Sequence, residues 1–276
     1  MTGKNKKTPY DKVVLSREQG RLQVTDYIEE LFHDFVEMKG DRLGGEDASI
    51  IGGIGFFHHK PVTIIGHRKG KTLEENIEYR FGMTEPAGYR KAVRLMKQAE
   101  KFGRPIITFI DTPGAYPGIE AEEAGQSVAI AESMRTMCQL TVPVIAIITG
   151  EGNSGGALAL AVANQVWMLE NSVYSILSPE GFASILWKDA TRSKEACELM
   201  KLTADELLER NMIEGILPES KFGITKERKI TIRAMDRMLV TQLNKLTKMR
   251  GSQLKDQRYV RFRKIDENET ALLKGK

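Results

Sequence analysis

The run Val142-Pro-Val-Ile-Ala-Ile-Ile-Thr-Gly150-Glu-Gly-Asn-Ser-Gly-Gly156-Ala-Leu-Ala-Leu160 decides how this chain is read. Its apolar, β-branched first half predicts a strand buried on both faces, and its small-residue end predicts a helix. Between them the glycines leave almost no side chain. Backbone N–H groups fixed at a helix N-terminus can meet a developing negative charge without reorganising, so the junction is a candidate oxyanion hole.

Three functional templates fit the string. Gly150, Gly152 and Gly155 spell G-x-G-x-x-G, with Glu170 at the distance of a ribose-binding acid, which is the dinucleotide fingerprint. The helix from Gly155 to Ala163 is short for a crossover, and this reading leaves the preceding half of the chain without a role. Gly152, Ser154 and Gly156 spell G-x-S-x-G, a nucleophile elbow with Ser154 as nucleophile. That order needs a downstream histidine, and His33, His58, His59 and His67 all precede Ser154. The third template is a hole made by the N–H groups of Gly155, Gly156 and Ala157, with no catalytic side chain. A purely structural reading, in which the glycines serve turning and close packing, stands beside it.

Composition narrows the class. The chain has 276 residues, 41% of them hydrophobic, enough for one large layered α/β unit. A formal charge of +4 is small against 41 basic and 37 acidic residues, and there is no aromatic-lined basic motif, so nucleic acid is not an expected partner. Gly3 to Lys7 and Lys274 to Lys276 read as solvated tails. Cys138 and Cys197 are expected as buried thiols of a reducing compartment, too few for a four-ligand zinc site. The chain shows no apolar signal core and no run approaching the ~20 residues of a membrane span, which predicts a cytoplasmic protein.

Along the chain, a polar segment over 1–24 precedes a main domain over 25–250, with a polar tail over 251–276. A helix from Thr25 is expected to carry Ile28, Leu31, Phe32 and Phe35 on one stripe. Strands follow at Ile50 to Phe57 and Pro61 to Gly66, joined by a turn at His58-His59-Lys60. The charged section His67 to Tyr79 has no period and reads as a loop or partner-facing surface. Helices are expected over Gly88 to Phe102 and Glu120 to Gln139, with a strand at Arg104 to Ile110. Later elements are strands at Gln165 to Leu169 and Val173 to Ile176, a short helix at Ala204 to Arg210 and an amphipathic helix from Lys226 to Lys248. Trp167 and Trp187 read as core or interface anchors. Two strand-loop-helix units thus follow one another, each with a glycine-bearing loop at the carboxyl end of its strand, the edge where α/β folds gather ligands.

Four motifs carry a resemblance: Arg80-Phe-Gly-Met-Thr-Glu-Pro-Ala-Gly-Tyr-Arg-Lys-Ala-Val-Arg-Leu-Met96, Asp111-Thr-Pro-Gly-Ala-Tyr-Pro-Gly118, Gly150-Glu-Gly-Asn-Ser-Gly-Gly156 and Ser178-Pro-Glu-Gly181. Together, and in this order, they resemble the carboxyltransferase α subunits of bacterial acetyl-CoA carboxylase, over about Thr25 to Glu219. Asn153 departs from the glycine expected there, and the segment before Thr25 looks shorter than in many relatives.

The resemblance implies a crotonase (ClpP-like) spiral of ββα units. It implies transfer of a carboxyl group from carboxybiotin, held on a biotin carboxyl carrier protein, to acetyl-CoA, giving malonyl-CoA for fatty-acid synthesis. Gly155, Gly156 and Ala157 would then face the biotin ureido oxygen, and Gly114 and Ala115 would form the opposing wall. Gly152 and Asn153 count with them as substrate-binding positions. The implied partners are a β subunit with a zinc ribbon, the carrier protein and a biotin carboxylase that consumes ATP. An α2β2 core is implied, with no metal in this chain. Pro113 and Pro117 fit either a slot wall or a rigid loop. Asp111, Glu151 and Glu180 are candidate acids or bases, or else caps and solvated charges. Arg80, Arg90 and Arg94 fit anion attraction, a subunit contact or plain surface charge. A stand-alone hydratase or isomerase of the same fold and a noncatalytic dinucleotide scaffold are the alternative functions.

Overall fold

Thr8 begins the chain's first helix by reciprocal capping: its hydroxyl accepts the Asp11 N–H at 3.1 Å and the Asp11 carboxylate accepts the Thr8 N–H at 2.8 Å. The computed structural model describes residues 7–220 and 228–274, with 266–274 by backbone alone. Helix α1 spans Pro9–Ser16 and α2 spans Val24–Leu31, the latter burying Tyr27, Ile28 and Leu31. The expected stripe stops before Phe35. Phe32 donates its N–H to the Ile28 carbonyl and turns to extended backbone, and Phe35 lies in an unforeseen strand, β1 (His33–Glu37). Pairing with β2 (Ile50–Phe57) supplies these backbone groups with partners across the sheet.

β2 and β3 (Lys60–His67) form the expected hairpin, with His58 and His59 at φ 44° and 63°. Paired positive φ values are the backbone of a two-residue hairpin turn. The next segment, expected as irregular, contains the short exposed helix α3 (Leu73–Glu78), capped by Thr72. Helix α4 (Pro86–Lys101) buries Tyr89, Val93, Met96 and Ala99 and leads to β4 (Ile106–Thr112). The helix expected over Glu120 to Gln139 is two, α5 (Ile119–Glu123) and α6 (Gln126–Gln139), parted at Gly125, whose φ of 84° favours glycine. The inward stripe of α6 runs through Ala129, Ser133 and Thr136, so Cys138 is exposed, contrary to expectation, while Cys197 is buried.

β5 (Val144–Asn153) then runs straight into α7 (Ser154–Ala161). Gly150 and Gly152, expected at the junction, belong to the strand. Its last residues pair with β7 (Val173–Ser175), which follows β6 (Gln165–Leu169). Helices α8 (Pro179–Trp187), α9 (Ser193–Met200) and α10 (Ala204–Glu209) precede β8 (Gly215–Leu217), α11 (Arg228–Leu246) and α12 (Gly251–Lys274). Residues 226 and 227 of the expected Lys226 to Lys248 helix lie outside the described residues.

The sheet order is β1-β2-β3-β4-β5-β6-β8, antiparallel through β3 and parallel from there on. β4 and β5 are buried at every residue. Their side chains alternate between two cores, as a period of two requires. Ile107, Phe109, Ile145 and Ile147 pack with α2 and α11; Ile106, Ile110, Val144 and Ile148 pack with α4 and α7. The segment read as a polar tail is helical over Gly251–Lys274 and docks on the domain. Leu254 enters the core, and the buried Arg258 guanidinium donates to the carbonyls of Leu140 (2.9 Å) and Val142 (3.4 Å) and to Asn164 Oδ1 (2.7 Å). Among the described residues no helix is long and apolar enough to cross a membrane.

Candidate active site

The site is built where β4 and β5 fall out of step. Ile110 pairs with Ile148 but Thr112 pairs with Gly152, so two steps on β4 face four on β5. Such a bulge leaves ladder groups without partners and re-aims the strand. Asp111 spans it. Its Oδ1 accepts the Glu151 N–H at 3.0 Å, and a β-carbon on Gly150 would sit 2.4 Å from the same oxygen, so only glycine fits there.

The strand's end delivers the amides. Asn153 caps α7 without a side-chain hydrogen bond to the helix, and Ser154 stands at φ 60°, a left-handed conformation for a residue with a β-carbon. A helix beginning at Ser154 leaves the N–H groups of Ser154, Gly155 and Gly156 without intrahelical acceptors; that of Ala157 is the first to face one, the Asn153 carbonyl. Ser154 is exposed, Gly155 half-buried, Gly156 and Ala157 buried.

Gly156 meets the other wall. A β-carbon there would lie 2.7 Å from the Ala115 nitrogen and 2.8 Å from the Gly114 carbonyl carbon. At Gly114 the space is open, but φ is 146°, again a glycine conformation. The Thr112 hydroxyl donates to the Gly114 carbonyl at 2.7 Å, and the Gln126 side chain donates to the carbonyls of Thr84 (2.8 Å) and Tyr116 (2.9 Å), which fixes the 113–118 loop. Asn153 is buried, its Oδ1 accepting from the Ser175 hydroxyl at 3.3 Å, and Gly152 packs against Tyr174 and Val173. The structure therefore gathers Gly114, Ala115, Gly152, Asn153, Gly155, Gly156 and Ala157 at one sheet edge.

A largely apolar cleft of about 450 Å³ opens beside Ser154 and Gly155, walled by Leu158, Tyr174, Ile176, Met212 and Phe262. A second cleft of about 510 Å³, bordered by charged side chains, lies against Arg17, Lys69, Asp111, Pro113 and Glu151. Lys69 Nζ stands 2.6 Å from Asp111 and 3.2 Å from Glu151; Arg17 bonds Glu151 at 2.8 Å and grips Glu180 with two hydrogen bonds. Burial opposes the Lys69 charge, yet the two carboxylates outweigh it and hold its pKa above the ordinary lysine value. Hydrogen bonding from Arg17 holds Glu180 below the usual carboxylate range despite its partial burial.

Sequence reading missed Lys69 and Arg17 and placed the three carboxylates as acids, bases, caps or solvated charges; they are ion-paired. Arg80 pairs with Glu85 at 3.0 Å, Arg90 with Asp41 at 2.8 Å, and Arg94 donates to the Gly40, Met38 and Lys39 carbonyls. These three arginines thus have internal partners. The dinucleotide template loses its turn, because Gly150 and Gly152 are strand residues.

The fold, with its parallel sheet edge running into α7, is of the crotonase type. Solved structures share it: transcarboxylase 12S superposes with a TM-score of 0.68 at 16% identity over 91% of this chain and 47% of that one. The β subunit of Pseudomonas aeruginosa geranyl-CoA carboxylase does so at 0.66 and 14%, over 88% and 46%. The chain spans about half the length of these solved proteins. Residues 4–266 match the family described as acetyl co-enzyme A carboxylase carboxyltransferase-like. The acetyl-coenzyme A carboxylase carboxyl transferase subunit alpha of Streptococcus thermophilus is 54% identical over 90% of this chain and 96% of its own length. The protein of the same name from Listeria monocytogenes is 51% identical over 95% and 83%. The chain belongs to this family and is a carboxyltransferase subunit; the hydratase and dinucleotide-scaffold readings find no support among these relatives.

Proposed function

We propose that this chain supplies the carboxybiotin half of a carboxyl-transfer site, and that a β subunit with a zinc ribbon supplies the acetyl-CoA half, the product being malonyl-CoA for fatty-acid synthesis. The observation that carries this reading is the contact of Gly156 with the Gly114–Ala115 peptide beside the first-turn amides of α7, which have no intrahelical acceptors. Carboxybiotin supplies an activated carboxyl group on a ureido nitrogen. The two main-chain walls meet at Gly156 and Ala115, so a flat ring would lie along their open edge, where Gly155 borders the apolar cleft. Gly155 and Gly156 would hold its ureido oxygen, with Ala157 supporting them from the first helical hydrogen bond. Backbone donors keep their protons and stay in place as charge grows on that oxygen; losing one such donor costs ~3 kcal/mol of barrier.

Among the carboxylates first considered, Asp111 and Glu151 are bonded to Lys69 and Arg17, so neither is free to act as a base on the acetyl group. The wider machinery follows from the same reading: a biotin carboxyl carrier protein, a biotin carboxylase that consumes ATP, and an α2β2 core in the cytoplasm. The test is partner dependence. Biotin-dependent conversion of malonyl-CoA to acetyl-CoA should be negligible for the isolated chain and restored by adding β, since both reactants must be held at near-attack distance. A rate for this chain alone that β does not change would refute the division of the site.

A further inference from the structure

The strand bulge that aims the α7 amides is held by charges rather than by ladder hydrogen bonds. Asp111 immediately precedes the Thr112–Ala115 wall and Glu151 immediately precedes Gly152–Gly156, so one buried group that grips both carboxylates fixes the two walls against each other. Lys69, at the carboxyl end of β3, is that group, at 2.6 and 3.2 Å. Its side chain is 15% exposed, those of Asp111 and Glu151 6% and 7%. The Glu151 N–H is also bonded to Asp111, and the Gly82 backbone packs on the Lys69 stem and the Asp111 carbonyl. From Glu151 the alternation continues through Arg17 to Glu180 at the start of α8. Every charge in this chain of five has an opposite neighbour, and Lys69 is the only cation touching Asp111 among the ion pairs described.

We propose that Lys69 is a positioning residue for carboxyl transfer: by neutralising Asp111 and Glu151 inside the bulge it sets the separation of the Gly114–Ala115 wall from the Gly155–Gly156 amides. The proposal rests on the slot reading given above. Without Lys69, Asp111 is left as a buried anion with no cation, a state that drives a carboxylate toward water or protonation. Turning toward water moves the Thr112–Ala115 wall and releases the Glu151 N–H, whereas a protonated Asp111 would keep that bond through its carbonyl oxygen. Glu151 keeps Arg17, so the damage is confined to one side of the slot.

The experiment uses the assembled complex with β and measures steady-state transfer from malonyl-CoA to free biotin, varying each substrate. Lys69→Met is expected to raise the biotin KM by about tenfold or more while the malonyl-CoA KM stays within about twofold, because only the biotin slot changes shape. Lys69→Arg, which keeps a cation, should recover part of this. Lys69→Met combined with Asp111→Asn removes both charges yet keeps an acceptor for the Glu151 N–H, and should return the biotin KM to within about threefold of the parent. Thermal melting and gel filtration establish folding and assembly. A folded Lys69→Met complex with an unchanged biotin KM would overturn the proposal, as would a double variant no better than the single one. If the single variant does not assemble, the double variant decides on the same criterion. Gly156→Val run in parallel separates the two ideas: normal biotin kinetics there defeat the slot itself, whereas impaired Gly156→Val with unaffected Lys69→Met defeats only the positioning role.

Discussion

Gly156 presses on the amide of Ala115, with room for no β-carbon between them: one placed on Gly156 would stand 2.7 Å from the Ala115 nitrogen. Its neighbour differs. A β-carbon on Gly155 would touch only Ile130 methyl groups, at 3.4 and 3.8 Å.

The two glycines should therefore respond differently to substitution. Gly156→Val must move backbone, and turnover of the assembled complex is expected to fall by about a hundredfold or more while circular dichroism stays near that of the parent. Gly155→Ala should cost little stability, within ~1 kcal/mol by urea titration, since its new methyl meets ordinary packing. Near-normal turnover for Gly156→Val would place the slot elsewhere.

Ser154 separates a nucleophile from a strained hinge. It is exposed, stands at φ 60° and has no histidine after it in the sequence. Ser154→Ala is expected to keep turnover within about tenfold, whereas a catalytic nucleophile would lose a thousandfold or so. Ser154→Gly should relieve the left-handed backbone and gain up to ~1 kcal/mol in chemical denaturation.

What the sequence made legible follows from the range of the interactions involved. β4 and β5 are readable because a strand covered on both faces begins as a near-continuous apolar run, Ile106 to Ile110 and Val144 to Ile148 with one threonine between them, and the two strand-loop-helix units follow from their punctuation. Phe35 was misplaced because the partner that draws it into β1 lies in β2, outside any local window. Gly150 and Gly152 look like a junction until β7, some twenty residues on, carries the ladder from Glu151 to Asn153. Gly125 is different: its break in the α5–α6 run is visible in the sequence itself, as a glycine inside a helical pattern. The gathering of Gly114 and Ala115 with Gly156 was legible only through family resemblance. Lys69 escaped altogether, lying in a stretch without period, with Glu151 82 residues away.

His67 gives a pH signature. It is fully buried, and its pKa is pushed down to about 3, first by burial and then by the Lys69 charge, against a Phe109 backbone contact that acts the other way. In the unfolded chain a histidine titrates near ~6.5. Between these values the unfolded state takes up a proton that the folded state refuses, so this contribution to stability is complete above about pH 6.5 and declines as pH falls toward 3. Urea midpoints measured from pH 7 to 4 should fall less steeply for His67→Gln than for the parent. Parallel slopes would remove His67 as the source.

Arg258 predicts a cost for loosening α12. Its guanidinium satisfies the Leu140 and Val142 carbonyls and Asn164 Oδ1 in the interior. Arg258→Met would leave the Leu140 and Val142 carbonyls buried without this donor, Asn164 Oδ1 keeping only the Val144 N–H, and should destabilise the chain by about 3 kcal/mol in urea unfolding. A change below ~1 kcal/mol would show that water replaces the guanidinium there.

The same helix gives the protein an order of construction. The amides of α7 come from the middle of the chain, but Arg261, Phe262 and Ile265 of α12 wall the cleft beside them. On the ribosome the glycine junction emerges well before that wall, and the sheet can close around β4 and β5 while one side of the cleft is still unsynthesised. A nascent chain, or one clipped after α11, would carry the reactive backbone yet present it across an uncovered apolar surface. Competence would then arrive only with translation of α12.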